Sequence, residues 1–225
     1  MKPALNLKWP DTEAQALDLQ SELAPKVIRE DTFSTIKYIA GVDVAYSSDE
    51  NELYAAAVVL DAETLKTMET SVTKSRVTFP YIPGLFSFRE LPPLMTALAN
   101  LKTIADLIVC DGQGLAHPRH FGLACHLGLM FDTPAIGCGK TRLSGEHKMP
   151  AEERGSAAPL KDQGETVGSV LRTQNGVKPV YVSIGHKISL ATACDWILKL
   201  SPKYRLPETT RAADQAVRAA SKKPL

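Results

Sequence analysis

The segment Tyr38-Ile-Ala-Gly-Val-Asp-Val-Ala-Tyr46 decides the fold that this sequence can adopt. Its continuous apolar character is typical of a buried β-strand. Successive side chains of a strand point to opposite faces, so Asp43 shares a face with Gly41 and Ala45. The other face is lined by Tyr38, Ala40, Val42, Val44 and Tyr46. An aspartate is costly inside such a strand unless something compensates its charge.

The segments around this strand predict an α/β fold. Residues 53–60 and 65–77 have strand character, and the short turns between them favour a three-stranded antiparallel meander. The remaining predicted strands are 106–111, 134–137, 167–173 and 180–183. The predicted helices are 11–30 (with Asp11 as its cap), 94–101, 119–130, 189–200 and 210–221. This order predicts one mixed sheet, an antiparallel meander plus parallel strands, flanked by helices.

The composition is that of an ordinary globular protein, with 225 residues, 44% hydrophobic residues and a formal net charge of +1. The length predicts a single domain over residues 1–225. Any surface for nucleic acid must be a local patch. The four cysteines form no C-x-x-C pair and are predicted to be free, buried thiols. Without a signal-peptide pattern or a membrane-spanning apolar run, we expect a cytoplasmic protein.

Asp43 and Asp111 are the first two candidates for a catalytic site. Asp43 requires either a salt bridge or a metal ion, and its small neighbours Gly41 and Ala45 leave room for an ion. Asp111 ends an apolar strand just before Gly112-Gln-Gly114. It is either a turn residue or part of a site at the carboxyl end of the strand.

Glu90 is the third acidic candidate. It could form a capping box with Ser87, but Pro92 would then lie inside the helix, where it removes a backbone donor. Phosphodiester cleavage needs charge stabilisation on the attacking and leaving oxygens, which two Mg²⁺ ions about 3.5–4 Å apart can supply. Mg²⁺ prefers oxygen ligands. We therefore expect Asp43, Glu90 and Asp111 to meet in a Mg²⁺ site for phosphodiester cleavage.

Three further features suit contact with nucleic acid. Lys140 could approach a phosphate, or be a plain surface lysine. The stretch His117-Pro-Arg-His120 could contact phosphate, or lie in a solvated loop. The segment Pro80-Tyr81-Ile82-Pro83 is an apolar tip stiffened by its prolines. Tyr81 either projects from this tip as a wedge between base steps or packs into the core with Ile82.

Five segments of the sequence resemble the endonuclease V family, the deoxyinosine-directed repair nucleases. They run in order over almost the whole chain, and the second and third are long and specific. The segments are Gly41-Val-Asp43, Phe79-Pro-Tyr-Ile-Pro-Gly-Leu-Phe-Ser-Phe-Arg-Glu90, Asp111-Gly-Gln-Gly-Leu-Ala-His-Pro-Arg119, Ile136-Gly137 with Lys140, and Leu206-Pro-Glu with Thr210-Arg211.

The resemblance implies a ribonuclease H-like fold and Mg²⁺-dependent hydrolysis, in which Mn²⁺ can substitute. The implied substrate is DNA containing deoxyinosine. It would be nicked at the second phosphodiester 3′ to the lesion, leaving 5′-phosphate and 3′-hydroxyl ends. Neither an organic cofactor nor a membrane is expected as a partner.

The resemblance also implies roles for individual residues. Asp43, Glu90 and Asp111 match the metal-site acids, and Asp214 is a candidate fourth acid because members carry His or Asp there. His117 and Lys140 match polar active-site positions. The strand-separating wedge is matched by Pro80, Tyr81, Ile82 and Pro83. The glycines expected around the lesion pocket are Gly84, Gly112, Gly114, Gly122 and Gly137.

Three alternative functions follow from the same residues. An inosine-specific endoribonuclease acting on RNA would use the same carboxylates and differ in its contacts to the 2′-hydroxyl. A nucleic-acid-binding protein without catalysis would gain nothing from acids that face phosphate. A small-molecule phosphatase leaves the tip at Tyr81 unexplained. The sequence departs from the family pattern at Cys138, Gly139, Ile184 and Thr209, which bears on the shape of the pocket and on the start of the last helix.

Overall fold

The computed structural model describes residues 1–48 and 50–222 of the chain. Within these ranges, eight strands form one sheet and five α-helices pack around it. The helices are α1 Glu13–Leu23, α2 Phe86–Ala99, α3 Leu123–Phe131, α4 Leu190–Leu200 and α5 Glu208–Ser221, with a 3-10 helix at Ala24–Lys26. The strands are β1 Tyr38–Tyr46, β2 Glu52–Asp61, β3 Thr67–Arg76, β4 Leu107–Cys110, β5 Ala135–Gly139, β6 Ala157–Asp162, β7 Glu165–Leu171 and β8 Val180–His186.

The sheet combines a parallel centre with two antiparallel edges. Its strand order is β3-β2-β1-β4-β5-β8-β7-β6, and β1, β4 and β5 run parallel. The predicted mixed sheet and its β1–β2–β3 meander are confirmed. The other edge, β8–β7–β6, is antiparallel as well and includes β6, which the sequence did not predict. Only Ala158 and Leu160 of this short strand are buried, so its apolar pattern is weak.

Alternate residues of the meander face two different helical layers. On β2, Ala55 and Ala57 pack with α2, whereas Tyr54 and Ala56 pack with α5. Burial on both faces explains the nearly continuous apolar sequence of β2. The predicted face of β1 is confirmed, because the α2 cluster includes Tyr38, Ala40, Val42, Val44 and Tyr46.

Gly41 is small for a reason that the sequence did not indicate. We expected Gly41 and Ala45 to leave room for an ion beside Asp43. In the structure, a Cβ on Gly41 would lie 2.2 Å from the carbonyl oxygen of Thr209, so the start of α5 occupies that space. Ala45 also packs against α5. The missing side chain at position 41 thus allows the close approach of α5, the helix that carries Asp214.

Two helices begin differently from the prediction. The cap of α1 is Thr12 and not Asp11, because the Thr12 hydroxyl accepts from the Gln15 amide at 3.3 Å. The α-helical part of α1 also ends at Leu23, well before the predicted residue 30. Helix α2 begins at Phe86, and no side chain caps it. The alternative of a capping box at its start is therefore wrong.

Two prolines, Pro92 and Pro93, lie inside α2, where the sequence argument disfavoured proline. Pro92 has no N–H, so the carbonyl of Phe88, four residues earlier, loses its helical donor. The indole Nε1–H of Trp9 donates to that carbonyl at 3.2 Å. The N-terminal segment thereby replaces a bond that α2 cannot make for itself, close to Glu90.

The four cysteines are free thiols in or near the core. Cys110, Cys125 and Cys138 are buried, Cys194 is partly buried, and all four are free, as predicted. Burial raises the pKa of the Cys125 thiol to about 12, so it stays protonated at neutral pH. In the described ranges, no helix has the length and apolar character needed to cross a membrane.

Replacing Trp9 with Phe tests the bond that compensates Pro92. The substitution leaves the Phe88 carbonyl without its donor, so the free energy of unfolding should fall by roughly 1–2 kcal/mol. Urea denaturation measures this change. The same substitution at Trp196, a residue of α4 that is partly buried against the main hydrophobic core, controls for the lost ring area. Equal stability of wild type and Trp9→Phe would contradict the proposed compensation.

Candidate active site

The pairing of β1 with β4 brings Asp43 and Asp111 together. The two strands run parallel, and their last registered pair is Val42 with Cys110. Asp43 and Asp111 follow that pair on each strand, so their carboxylates are neighbours at the carboxyl ends of two buried strands. Strand β5 runs parallel to β4, so its carboxyl end lies at the same edge of the sheet. Lys140 follows β5 there. The sheet therefore assembles three of the predicted site residues from three strands.

Two helices from opposite layers add acids to this edge. Glu90 on α2 is buried and accepts a hydrogen bond from the Tyr46 hydroxyl at 3.2 Å. Asp214 on α5 accepts from Arg218 Nε at 2.8 Å. The charges of Asp111 and Asp214 both act on Asp43, and those of Asp43 and Asp111 act on Glu90. All four predicted acids therefore belong to one electrostatic cluster.

Burial and mutual repulsion raise the pKa of two of these acids. Burial, reinforced by the charge of Asp111, raises the pKa of Asp43 to about 7. Burial raises the pKa of Glu90 well above its usual range, although the bond from Tyr46 works in the other direction. The cluster is short of positive charge, and a cation between the carboxylates would relieve the repulsion.

Lys140 supplies a positive charge beside the cluster. Its Nζ forms an ion pair with Oδ2 of Asp111. Partial burial opposes the ammonium charge, but the ion pair outweighs it and raises the pKa of Lys140. The main chain of Lys140 is held in turn by Arg205, whose Nη2 donates to the Lys140 carbonyl at 2.6 Å. Lys140 is thus tied to Asp111 and is not a plain surface lysine.

The acids supply suitable donor atoms for a divalent metal ion but are not arranged around one. In residues 1–48 and 50–222, no three His, Cys, Asp or Glu side chains are placed so that they could hold a metal as they stand. Each acid has another partner: Asp111 pairs with Lys140, Glu90 with Tyr46, and an Asp43 oxygen with the Val44 amide. The available donors are nevertheless carboxylate oxygens, the ligands that Mg²⁺ and Mn²⁺ prefer. The raised pKa values of Asp43 and Glu90 also fit a cation site, at which the side chains would have to turn toward the ion.

A cavity of about 410 Å³ opens next to the acids. It is lined on one side by residues 81–83 of the tip together with Gly84, and on another side by the loop 139–143. Three of the five predicted pocket glycines line it, namely Gly84, Gly112 and Gly122. Asp111 and Lys140 line it too, whereas Asp43 and Glu90 do not. The cavity and the acidic cluster are therefore adjacent sites that share Asp111.

The other two predicted pocket glycines, Gly114 and Gly137, lie behind the lining of this cavity. A Cβ on Gly114 would lie 1.9 Å from the Ile184 carbonyl oxygen, and one on Gly137 would lie 2.5 Å from the Gly114 amide nitrogen. These glycines let the loop after β4 pack directly on β5 and β8. They shape the cavity from behind, which corrects the position that we expected for them.

The tip at Pro80–Pro83 projects from the molecule at the mouth of the cavity. Tyr81 is 67% exposed, and its ring forms a T-shaped pair with Phe86, with centroids 6.0 Å apart. Ile82 is partly buried against the cluster of Phe79, Leu85 and Phe88. Tyr81 is therefore not a core residue, whereas Ile82 anchors the tip to the core.

His117 is not the cationic group that the sequence suggested. Its Nε2 lies 3.0 Å from the Gly84 carbonyl, and its Nδ1 accepts from the Arg119 amide at 3.2 Å. Burial, reinforced by the charge of Arg119, lowers the pKa of His117 to about 4, so the ring is neutral. His120 faces the carboxylates of Asp162 and Glu165, each at 3.8 Å. Both histidine side chains therefore have partners within the protein.

Three residues that contact the site were not predicted from the sequence as site residues. Tyr46 bonds Glu90, Arg205 holds the backbone of Lys140, and Gln20 of α1 contacts the tip at Gly84. Gln20 alone carried a usable signal, because it stands in the buried stripe of α1 between Ala16 and Leu23. A polar side chain in an apolar stripe needs partners. The other two depend on contacts between distant segments and leave no local pattern.

Comparison with known proteins places the chain in a family. A model of the family described as endonuclease V matches residues 21–215. Endonuclease V of Nostoc punctiforme is 50% identical over 212 residues, which cover 94% of this chain and 96% of the relative. Endonuclease V of Roseiflexus sp. is 47% identical and covers 95% of this chain and 96% of the relative.

Solved structures show the same similarity. The crystal structure of endonuclease V from Streptomyces avermitilis has a TM-score of 0.92 and 47% identity, and the match covers 97% of this chain and 96% of that one. A Ciona intestinalis endonuclease V, solved with a 23mer DNA containing an inosine followed by a ribo-adenosine, has a TM-score of 0.82 and 28% identity, over 93% of this chain and 96% of that one. The chain belongs to the endonuclease V family, and it is an enzyme of the nuclease class.

Proposed function

We propose that this protein is a DNA repair endonuclease that recognises deoxyinosine and hydrolyses the second phosphodiester bond 3′ to it, leaving 5′-phosphate and 3′-hydroxyl ends. The observation that carries the proposal is the position of Asp111, which belongs to the acidic cluster and also lines the neighbouring cavity. A base in the cavity would therefore lie beside the acids and not between them. This separation supports a cut displaced from the lesion nucleotide.

We further propose that Asp43, Glu90, Asp111 and Asp214 hold Mg²⁺, for which Mn²⁺ can substitute. When bound, the ion would activate the attacking water and stabilise charge on the leaving oxygen. The high pKa values of Asp43 and Glu90 support this assignment, since a cation would favour their ionised forms. Lys140 then contributes a second positive charge, at a carboxylate that faces both the acids and the cavity.

The tip and the cavity are proposed to handle the damaged base. Tyr81, stiffened by Pro80 and Pro83, would enter the duplex and part the strands. The extruded base would enter the cavity of about 410 Å³, a size suited to a small organic group. The backbone at Gly112 could approach it closely, because the space where a Cβ would stand holds nothing nearer than Leu123 at 3.8 Å. The Ciona relative's complex with inosine-containing DNA supports this substrate class.

Asp43→Asn tests the catalytic role of the acidic cluster. The variant keeps the size and hydrogen-bonding capacity of the side chain but removes the carboxylate. Nicking of an inosine duplex in Mg²⁺ should fall on the order of a thousandfold or more, while duplex binding persists. Stability at pH 8 should rise by roughly 1–3 kcal/mol, because a repelled, buried charge has been removed. Exposed Asp18→Asn is the matched control, and wild-type nicking by Asp43→Asn would exclude the assignment.

Tyr81→Ala tests the proposed wedge. Cleavage of an inosine in duplex DNA should fall by roughly tenfold more than cleavage of single-stranded inosine DNA, since only the duplex has to be opened. The exposed side chain should matter little to folding, so stability should change by less than about 0.5 kcal/mol. Ile104→Ala, at the opposite end of β4 and 69% exposed, serves as the control. An equal loss on both substrates would argue against strand separation by Tyr81.

A second candidate function is cleavage of inosine-containing RNA. The observation that favours it is the Ciona complex, whose DNA carries a ribo-adenosine directly after the inosine. Matched DNA, RNA and DNA with one ribonucleotide after the inosine should be cut side by side, with the products mapped on a gel. We expect the all-DNA substrate to be cut efficiently. Cleavage confined to substrates with a 2′-hydroxyl would replace our proposal with the endoribonuclease.

A further inference from the structure

The carbonyl oxygen of Gly84, at the base of the exposed tip, accepts hydrogen bonds from three side chains. The donors are Gln20 Nε2 at 3.0 Å, His117 Nε2 at 3.0 Å and Arg119 Nη2 at 2.6 Å. A carbonyl oxygen has two lone pairs, so three donors are a high concentration of bonds at one atom. Gly84 has φ +80, a conformation that side chains rarely adopt. The chain is therefore held in a fixed turn directly after the tip.

Gln20 links this turn to a helix outside the active site. Its side chain is fully buried, and the same Nε2 also donates to the Phe121 carbonyl at 3.1 Å. Its Oε1 accepts from Arg119 Nε at 2.5 Å. One amide group thus connects α1 with Gly84 after the tip and, in the loop after β4, with Arg119 and Phe121.

The bonds around Gly84 form a closed network. His117 is neutral and uses both ring nitrogens, one toward Gly84 and one toward the Arg119 amide. Arg119 bonds both Gly84 and Gln20. Because His117 and Arg119 lie on the loop that starts at Asp111, the network fixes the base of the tip relative to the acids and the cavity.

Packing alone does not account for a glutamine at position 20. The side chain stands in the buried stripe of α1 between Ala16 and Leu23, where an apolar residue would pack without desolvating an amide. Burying an amide is unfavourable unless its hydrogen bonds are made. Here its donor and acceptor atoms both have hydrogen-bond partners. Two of these three partners, Gly84 and Arg119, belong to the network that holds the base of the tip.

We infer that Gln20 is a positioning residue for strand separation: it orients the tip, and through it Tyr81, without contacting the substrate. The inference rests on the proposed function of the tip. When Gln20 is replaced, the acids keep their own supports in β1, β4 and α2, and the cavity keeps its walls at 111–113 and 139–143. Cleavage of a substrate that is already open therefore continues, and opening of a closed duplex becomes the step that fails.

Gln20→Met removes the amide while keeping the length of the side chain. The ratio of kcat/KM on duplex to kcat/KM on single-stranded inosine DNA should fall by roughly tenfold, the effect of losing one or two strong hydrogen bonds. A duplex with unpaired bases flanking the inosine should restore most of this loss. Amide hydrogen exchange over residues 81–86 should become faster, with no change in β1 or β4. Unchanged ratio and unchanged exchange would overturn the inference.

Two controls on the same helix separate positioning from general destabilisation. Leu23→Val trims the core stripe of α1, and Gln15→Met replaces an exposed glutamine. Both should leave the substrate ratio and the exchange of residues 81–86 at wild-type values. The same selective duplex loss in Leu23→Val would mean that any weakening of α1 suffices, which overturns the specific role of Gln20.

Two additional measurements keep the inference testable in every case. If Gln20→Met does not fold, Arg119→Met removes the two bonds from the partly exposed side of the network and should show the same selective loss. If the wild-type protein does not cleave inosine DNA, the proposed function fails, but the exchange comparison still decides whether Gln20 orders the tip. Faster exchange without a change in the substrate ratio would refute the role in strand separation.

Discussion

The parallel pairing of β1 with β4 is the interaction on which the rest of the site depends. It places Asp43 and Asp111 next to each other at the ends of two buried strands, where their charges repel and water is scarce. No short segment would adopt this arrangement alone, because both carboxylates are more stable in solvent. The apolar packing of α2 on one face and α5 on the other compensates the cost. The core thus holds a cluster that is locally unfavourable, as is common at functional sites.

The charge balance of that cluster organises its surroundings. Lys140 neutralises part of it through Asp111, and Arg218 pairs with Asp214. Glu90 is buried, and its pKa stays well above the usual range although the Tyr46 hydroxyl and the charge of Arg89 both lower it. The neighbouring tip is held differently, by three hydrogen bonds that converge on the uncharged carbonyl oxygen of Gly84. The acids, which must respond to charge, and the tip, which must keep its shape, are therefore stabilised by different kinds of interaction.

Local patterns predicted the strands well and the helix ends poorly. The period-two pattern of 38–46 identified β1 with its correct limits and its correct inner face. The capping box at Ser87 is wrong, because α2 already starts at Phe86 and tolerates Pro92 through a bond from Trp9. That bond joins segments 79 residues apart, so no window of sequence contains it. The meaning of Gly41 was misjudged for the same reason, since the neighbour that needs the space is Thr209.

The sequence by itself determined the mixed α/β sheet, the family and the set of acidic residues that form the candidate site. These follow from periodicity and from motifs that are contiguous along the chain. Only the tertiary structure decided that Asp111 belongs to both the acidic cluster and the cavity, that His117 is neutral, and that Gln20 supports the tip. Burial and partners set the protonation and the role of each side chain. Both arise when distant segments pack together, and neither is encoded in the spacing of residues along the chain.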